Sequence, residues 1–210
     1  CGISRRVGRR LCLRLSLGGG FTVSPAPFRF CPRCGNDGCF YHDRKYWRCE
    51  ACGFTYYHNV ASSASVILET EGGLLTIVRA KEPRAGYLSF PGGFVDPDER
   101  AEDAAIRECR EEIGLDVAVP LRFVGSWPND YAYGDVLYKT CDLYFSARLP
   151  PRPNQARGGD ASGGFRLDPG EASSLRVVPF EALADAPFAF ESARRAALAW
   201  LDMRCIESTQ

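Results

Sequence analysis

No stretch of this chain approaches the roughly 18 consecutive apolar residues of a membrane-crossing helix, so no such helix and no membrane partner is expected. Net charge is missing too, because 26 lysines and arginines face 26 aspartates and glutamates. The balance hides a division. Residues 1–30 carry six arginines and no acid, which leaves 20 basic and 26 acidic residues beyond them, a net of minus six. A broad basic surface for nucleic acid is therefore not indicated. What remains is a chain of 210 residues, 45% apolar, with room for one sizeable core and one small module.

The acid-free segment reads apart from the rest. It opens on Cys1 rather than Met, and Arg5, Arg6, Arg9, Arg10 and Arg14 are interleaved with Leu11, Leu13 and Leu15. That composition fits an organelle transit peptide, and equally translated upstream sequence outside the mature protein. Either way residues 1–30 stand outside the expected fold. Cytoplasmic placement is the expectation for the remainder, with an organelle as the alternative under the transit reading.

Ten cysteines would permit a disulfide framework, but four fall into two Cys-x-x-Cys pairs. Cys31 and Cys34 precede Gly35, and Cys49 and Cys52 precede Gly53, with fourteen residues between the pairs. This spacing favours a closed tetrahedral zinc site over a redox or disulfide role, and points to a reducing compartment. Zinc held by four thiolates stabilises a fold rather than performing chemistry. Cys39 and His42 lie between the pairs as substitute ligands without paired spacing. Tyr41, Tyr46 and Trp47 read as packing for so small a module, and Cys109 and Cys141 as buried core residues.

From Ala61 the pattern turns to strands. Ala64–Leu68 and Leu74–Val78 flank Glu71-Gly72-Gly73, which predicts a hairpin. A strand ending at Pro91-Gly92-Gly93 follows, then a helix with Asp98 as candidate N-cap, Glu102 and Asp103 in its first turn and Gly114 as its stop. Ala105, Ile106, Cys109 and Ile113 give it an apolar stripe. Val117–Val124 and Val136–Ala147 read as strands around an aromatic loop, Gly125–Tyr133. Pro150–Gly170, dense in Pro, Gly and Arg, reads as a mobile surface insertion. Ser174–Val178 is a last strand, and a terminal helix over Glu191–Met203 packs through Ala193, Ala197, Trp200 and Leu201.

Glu108, Glu111 and Glu112 fall on one flank of the first helix, within an arc of about 100°. Like charges at such spacings cost a free helix a few tenths of a kcal/mol per pair. A solvated acidic face is one reading; a site for a hard divalent cation such as Mg²⁺, which takes oxygen ligands, is the other.

The spacing around the glutamates separates these readings. Gly93, five residues, Glu99, seven residues, Arg107-Glu108-Cys109, one residue, Glu111-Glu112, one residue, Gly114-Leu115 resembles the Nudix box at every defining position. The cysteine module ahead of it looks like the zinc ribbon of NADH-pyrophosphatase-like Nudix hydrolases. The resemblance implies an α/β fold, the Nudix α/β/α sandwich with a mixed sheet over residues 60–205, preceded by a ribbon over 31–58. It implies hydrolysis, dependent on Mg²⁺ or Mn²⁺, of a nucleoside diphosphate linked to another moiety, of the NADH or ADP-ribose type.

By the same resemblance Glu108, Glu111 and Glu112 bind the cation with the Gly93 carbonyl, Arg107 pairs with Glu99 to hold loop against helix, and Glu108 or Glu171 accepts a proton. Zn²⁺ falls to Cys31, Cys34, Cys49 and Cys52. Arg79 and Lys81 are candidates for the outer phosphate oxygens, with plain surface charge as the alternative. Trp127, Tyr131 and Tyr133 are candidates for stacking on a base or ribose, with loop packing as the alternative. This region departs from the NADH-pyrophosphatase signature, of Ser-Gln-Pro-Trp-Pro-Phe-Pro character, and only Ser126-Trp127-Pro128 bears a faint resemblance to it. NAD-capped RNA is a further candidate partner, and a homodimer stays open. Two other readings of the same residues are a nucleotide- or RNA-binding regulator without hydrolysis and an allylic diphosphate isomerase.

Overall fold

The structure is a computed structural model and describes residues 28–117, 120–134, 136–150 and 164–207. The arginine-rich segment lies outside the described residues up to position 27, as does most of the expected insertion, residues 151–163.

The cysteine module is a three-stranded antiparallel sheet of β1 (Cys39–His42), β2 (Tyr46–Cys49) and β3 (Thr55–Tyr57). A sheet this small has little apolar area to bury, and one indole does most of it. Trp47 is 1% exposed. Tyr41 stacks on it at 4.5 Å and Phe28 meets it edge-on at 5.3 Å, so the aromatics here pack against one another, as expected.

The second sheet contains β4 (Ala61–Thr70), β5 (Gly73–Arg79), β6 (Leu88–Ser89), β7 (Gly92–Phe94), β8 (Arg122–Tyr133), β9 (Val136–Arg148) and β10 (Ala172–Val178). Its order is β10-β5-β4-β9-β8, with β6 on β5 and β7 on β4. The predicted hairpin forms, Leu68 facing Leu75 across it. β4 and β9 run parallel while the other pairs are antiparallel, so the sheet is mixed. Helix α1 (Ala101–Ile113) covers one face and α2 (Glu191–Glu207) the other. Strand β4 shows why both are needed. Its alternate residues Ala64, Val66 and Leu68 pack with Ala105, Cys109 and Ile113 of α1, while Ile67 packs with Ala193, Ala197 and Trp200 of α2. Burying each such Val, Leu or Ile contributes about 1.5–3 kcal/mol. This is the α/β/α sandwich that the sequence implies.

Four local expectations are corrected. Asp98 is not the helix cap: it sits at φ 66°, and Arg100 occupies the N-cap without a side-chain bond. Val117 is outside any strand, and β8 starts only at Arg122, where pairing with β9 begins. The expected aromatic loop over Gly125–Tyr133 is most of strand β8. Its aromatics favour an extended backbone, and Pro128 is tolerated because β8 is an edge strand. Residues 164–170, expected to belong to a mobile insertion, dock on the end of α1. The Arg166 and Asp168 amides donate to the carbonyls of Ile113 and Glu112, groups a helix end otherwise leaves unpaired. Gly114 stops the helix as predicted, at φ 66°, with the Leu115 amide bonded back to Cys109.

Candidate active site

Strands β4, β5, β6, β7, β8 and β9, the residue before β10 and helix α1 wall a cleft of about 290 Å³. Glu108 and Glu112 face it from α1, because positions four apart share a helix flank. Gly92 and Gly93 face it from β7, and Glu171 from the residue before β10.

Glu112 is 6% exposed, and its Oε2 accepts the Gly92 amide at 3.0 Å. Burial pushes its carboxyl up to about 8 against the pull of that amide, and the charges of Glu108 and Glu171 push the same way. Burial also raises Glu108, while Arg107 draws it down. Gly93 is glycine because of closeness: a Cβ there would stand 2.5 Å from Glu108 Oε1.

Arg107 ties the surrounding loop to the helix. Its Nε and Nη2 donate to the two oxygens of Glu99 at 2.9 and 3.0 Å, and Nη2 reaches the Phe94 carbonyl at 3.1 Å. Its Nη1 donates to Glu108 at 2.8 Å and to Glu111 at 3.0 Å. The Arg107 guanidinium holds Glu99 below the usual carboxylate range, helped by the Asp96 amide.

The structure brings Glu108, Glu112, Glu171, Gly93, Arg79, Lys81 and Tyr131 together around the cleft. Glu111 does not line it; its carboxylate is turned to Arg107 and is 57% exposed. Lys81 is paired with Glu171, which raises the lysine. Arg79 lies over the Phe190 ring at 5.3 Å and donates to the Pro83 carbonyl at 2.9 Å. Trp127 is not a cleft residue: its indole packs on Tyr144 at 5.7 Å and covers Gly125, on the α2 side of the sheet. Tyr133 is 60% exposed and lines a separate hollow beside the cleft with Phe94, Tyr131 and Tyr138.

In the ribbon the ligand atoms of Cys31, Cys34, Cys49 and Cys52 all lie within 4.8 Å of one another, the one such gathering of metal-ligating groups among the described residues. Four sulfurs so close are a donor set suited to a tetrahedral soft-ligand metal. Burial raises the Cys31 thiol, but the Cys34 and Arg33 amides and the neighbouring thiols outweigh it and bring it down to about 7. Cys34 is helped by the Asn36 amide, yet Cys52, burial and the remaining thiols push it up to about 12. Cys39 and His42 stand outside the cluster.

One group in the cleft was not foreseen. Asp142 of β9 is 6% exposed; its Oδ1 accepts the hydroxyls of Ser63 at 2.8 Å and Thr140 at 2.6 Å, and its Oδ2 accepts Ser192 at 2.7 Å. The signal in the sequence was polar Thr140 and Asp142 alternating within an apolar strand, which puts both on one face.

Sandwich, cleft and box define a class. A model of the NUDIX domain matches residues 59–201, and the chain belongs to the Nudix family. Its curated relatives include proteins named NAD-capped RNA hydrolase NudC. Those of Pseudomonas putida (strain GB-1) and Pseudomonas aeruginosa (strain LESB58) are 30% identical over 142 and 144 residues, 60% of this chain and 51% of theirs. The chain thus spans about half the length of the curated relatives it matches. Among solved structures, a NUDIX hydrolase from Nitrosomonas europaea superposes with TM-score 0.54 at 20% identity, over 84% of this chain and 92% of that one. A MutT protein from Methanosarcina mazei Go1 gives 0.53 at 20% identity, over 69% and 94%. These two structures show the fold.

Proposed function

We propose that the chain hydrolyses the diphosphate bond of a nucleoside diphosphate linked to another moiety, with NAD-linked diphosphates, free or capping RNA, as the substrate class. The observation that carries this reading is the cleft in which Glu108, Glu112 and Glu171 face one another beside Arg79 and Lys81. The relatives named NAD-capped RNA hydrolase support the NAD-linked choice.

The donor chemistry fits Mg²⁺ or Mn²⁺. Glu108 and Glu112 offer hard oxygens in a pocket where burial raises both carboxyls, Glu108 and Glu171 push Glu112 further up, and Glu111 and Glu171 do the same to Glu108; a cation relieves that repulsion. Glu108, Glu112 and the Gly93 carbonyl would hold it, and Glu111 would join by leaving Arg107. A bound divalent cation supplies charge neutralisation for the diphosphate and makes water more acidic. The chain does the rest. Arg107, fixed by Glu99 and Phe94, positions Glu108. Arg79 and Lys81 hold phosphate oxygens, Lys81 exchanging its contact with Glu171 for one with substrate. Glu108 or Glu171 accepts the proton lost by the attacking water. Tyr131, at the cleft edge between Phe94 and Phe190, stacks on a ring of the substrate. In the ribbon the four cysteines hold Zn²⁺ in a structural role.

The test is a Mg²⁺-dependent panel of NADH, ADP-ribose and NAD-capped RNA with products identified. Release of two phosphomonoesters is expected. Binding without turnover across the panel would overturn the proposal.

A further inference from the structure

The contacts around Asp142 fix the direction of every hydrogen bond near them. Ser63 gives its one hydroxyl proton to Oδ1, Thr140 gives its own to Oδ1 at 2.6 Å in preference to the Asn129 carbonyl at 3.4 Å, and Ser192 gives its own to Oδ2. Ser192 Oγ then has only lone pairs left for the Tyr144 hydroxyl 3.2 Å away, so Tyr144 is the donor in that contact. Asp142, Ser63, Thr140 and Tyr144 all line the cleft. The consequence is chemical. With their protons committed to Asp142, Ser63 Oγ and Thr140 Oγ1 can only accept from whatever lies beside them. The two flank one carboxylate oxygen, since Ser63 and Asp142 are register partners of the parallel strands β4 and β9, and Thr140 lies one alternation along β9. The same cleft holds Arg79 and Lys81, which bring donors and positive charge.

We infer that this buried Asp142 hub lays a floor of committed hydroxyls in the cleft that accepts the neighbouring hydroxyls of a substrate ribose, with Ser63 as the contacting residue and Asp142 as the positioning residue behind it. A phosphate, which brings only acceptors, is turned away from these hydroxyls toward Arg79 and Lys81. A ribose hydroxyl brings the donor that Ser63 Oγ is left to accept. The inference rests on the hydrolase reading for its substrate class, and extends it to the orientation in which the substrate lies.

Three ligands test it: ADP-ribose, its analogue lacking the 2′ and 3′ hydroxyls of the adenosine ribose, and the ethyl ester of ADP, which lacks the distal ribose. Wild type, Ser63→Ala and Asp142→Asn are compared by kcat/KM with Mg²⁺ and by calorimetric Kd with Ca²⁺ in its place. For ADP-ribose, Ser63→Ala is expected to weaken kcat/KM and Kd about three- to tenfold, the range for one lost hydrogen bond. Asp142→Asn is expected to weaken both more, because its amide turns a hydroxyl proton into the cleft. The gap between wild type and variant closes for one of the two analogues, and which one tells which ribose lies on the floor. If the gap stays the same for all three ligands, or is absent with ADP-ribose, the inference is wrong and the network only braces the sheet. Should Asp142→Asn fail to fold, the Ser63→Ala series decides alone. If wild type hydrolyses none of the ligands but its binding shows the gap and its closure, the hydrolase reading falls and this one stands.

Discussion

In the ribbon, Cys31 Sγ lies 3.7 Å from Cys52 Sγ and Cys34 Sγ 3.7 Å from Cys49 Sγ, so four ligand atoms already share one small volume. In and beside the cleft, four glutamates are engaged by three partners: Glu112 by the Gly92 amide, Glu108 and Glu111 by Arg107, Glu171 by Lys81. The difference follows from charge. Thiols can crowd while neutral, whereas carboxylates repel, and a fold that gathers them must supply donors to each. The first arrangement suits a closed structural site and the second an open one, whose ligands stay oriented and can exchange partners.

The largest effect expected is therefore in the ribbon. Cys49→Ser leaves three thiols, and the module has little core besides Trp47 to stand on. Zinc measured by atomic absorption should fall from one equivalent to none, and amide protection over residues 39–57 should disappear. Retention of a full equivalent would show that Cys49 is not a ligand. Turnover should suffer less than in the next variant.

Glu112→Gln comes second, with a loss of about 10²–10⁴ in kcat from removing a charged group at the reacting centre. Its fold should survive, because the amide oxygen still accepts from Gly92 and burying a neutral group is easier than burying an anion. Intact turnover in a folded variant would falsify the role given to the box.

Local and long-range features differ as much in how visible they were beforehand. The cysteine pairs, the Glu71–Gly73 hairpin and the Gly114 stop are local signals, each settled by residues a few positions apart, and the structure follows them. The errors came where tertiary context decides. Gly125, Pro128, Asn129 and Asp130 look like a loop in isolation, yet pairing with β9 draws them into a strand. Trp127 looked available to a ligand because nothing in the sequence says that β8 turns its indole toward Tyr144. The Asp142 hub joins residues 79 and 50 positions apart, beyond any local pattern.

Gly93→Ala tests how tightly the open site is drawn. The added methyl would sit 2.5 Å from Glu108 Oε1 and 2.7 Å from its carboxyl carbon, so the Glu108 side chain must swing aside. Displacing a ligand in this way should weaken Mg²⁺ or Mn²⁺ binding by roughly ten- to a hundredfold, the scale seen when a ligand loses its orientation. Titration of the cation against activity measures it. An unchanged cation requirement would mean that Glu108 does not hold the metal where it now sits.

The smallest effect concerns the brace rather than the ligands. Arg107 grips both oxygens of Glu99 and keeps that carboxyl protonating below its usual range. A folded-state value below the unfolded one means that the pair contributes stability above the ordinary carboxylate range and loses it as pH falls through the folded value. Melting temperatures recorded from pH 7 down to about 3 should accordingly show wild type above Glu99→Gln at neutral pH, with the gap closing in acid. The side chains are 27% and 18% exposed, so solvent keeps the contribution modest. If the two curves coincide throughout, Arg107 is held by the Phe94 carbonyl and Glu108 without help from Glu99. The loop would then be fastened to α1 through the same glutamate proposed to hold the cation, and Glu108 could not be removed without loosening the brace.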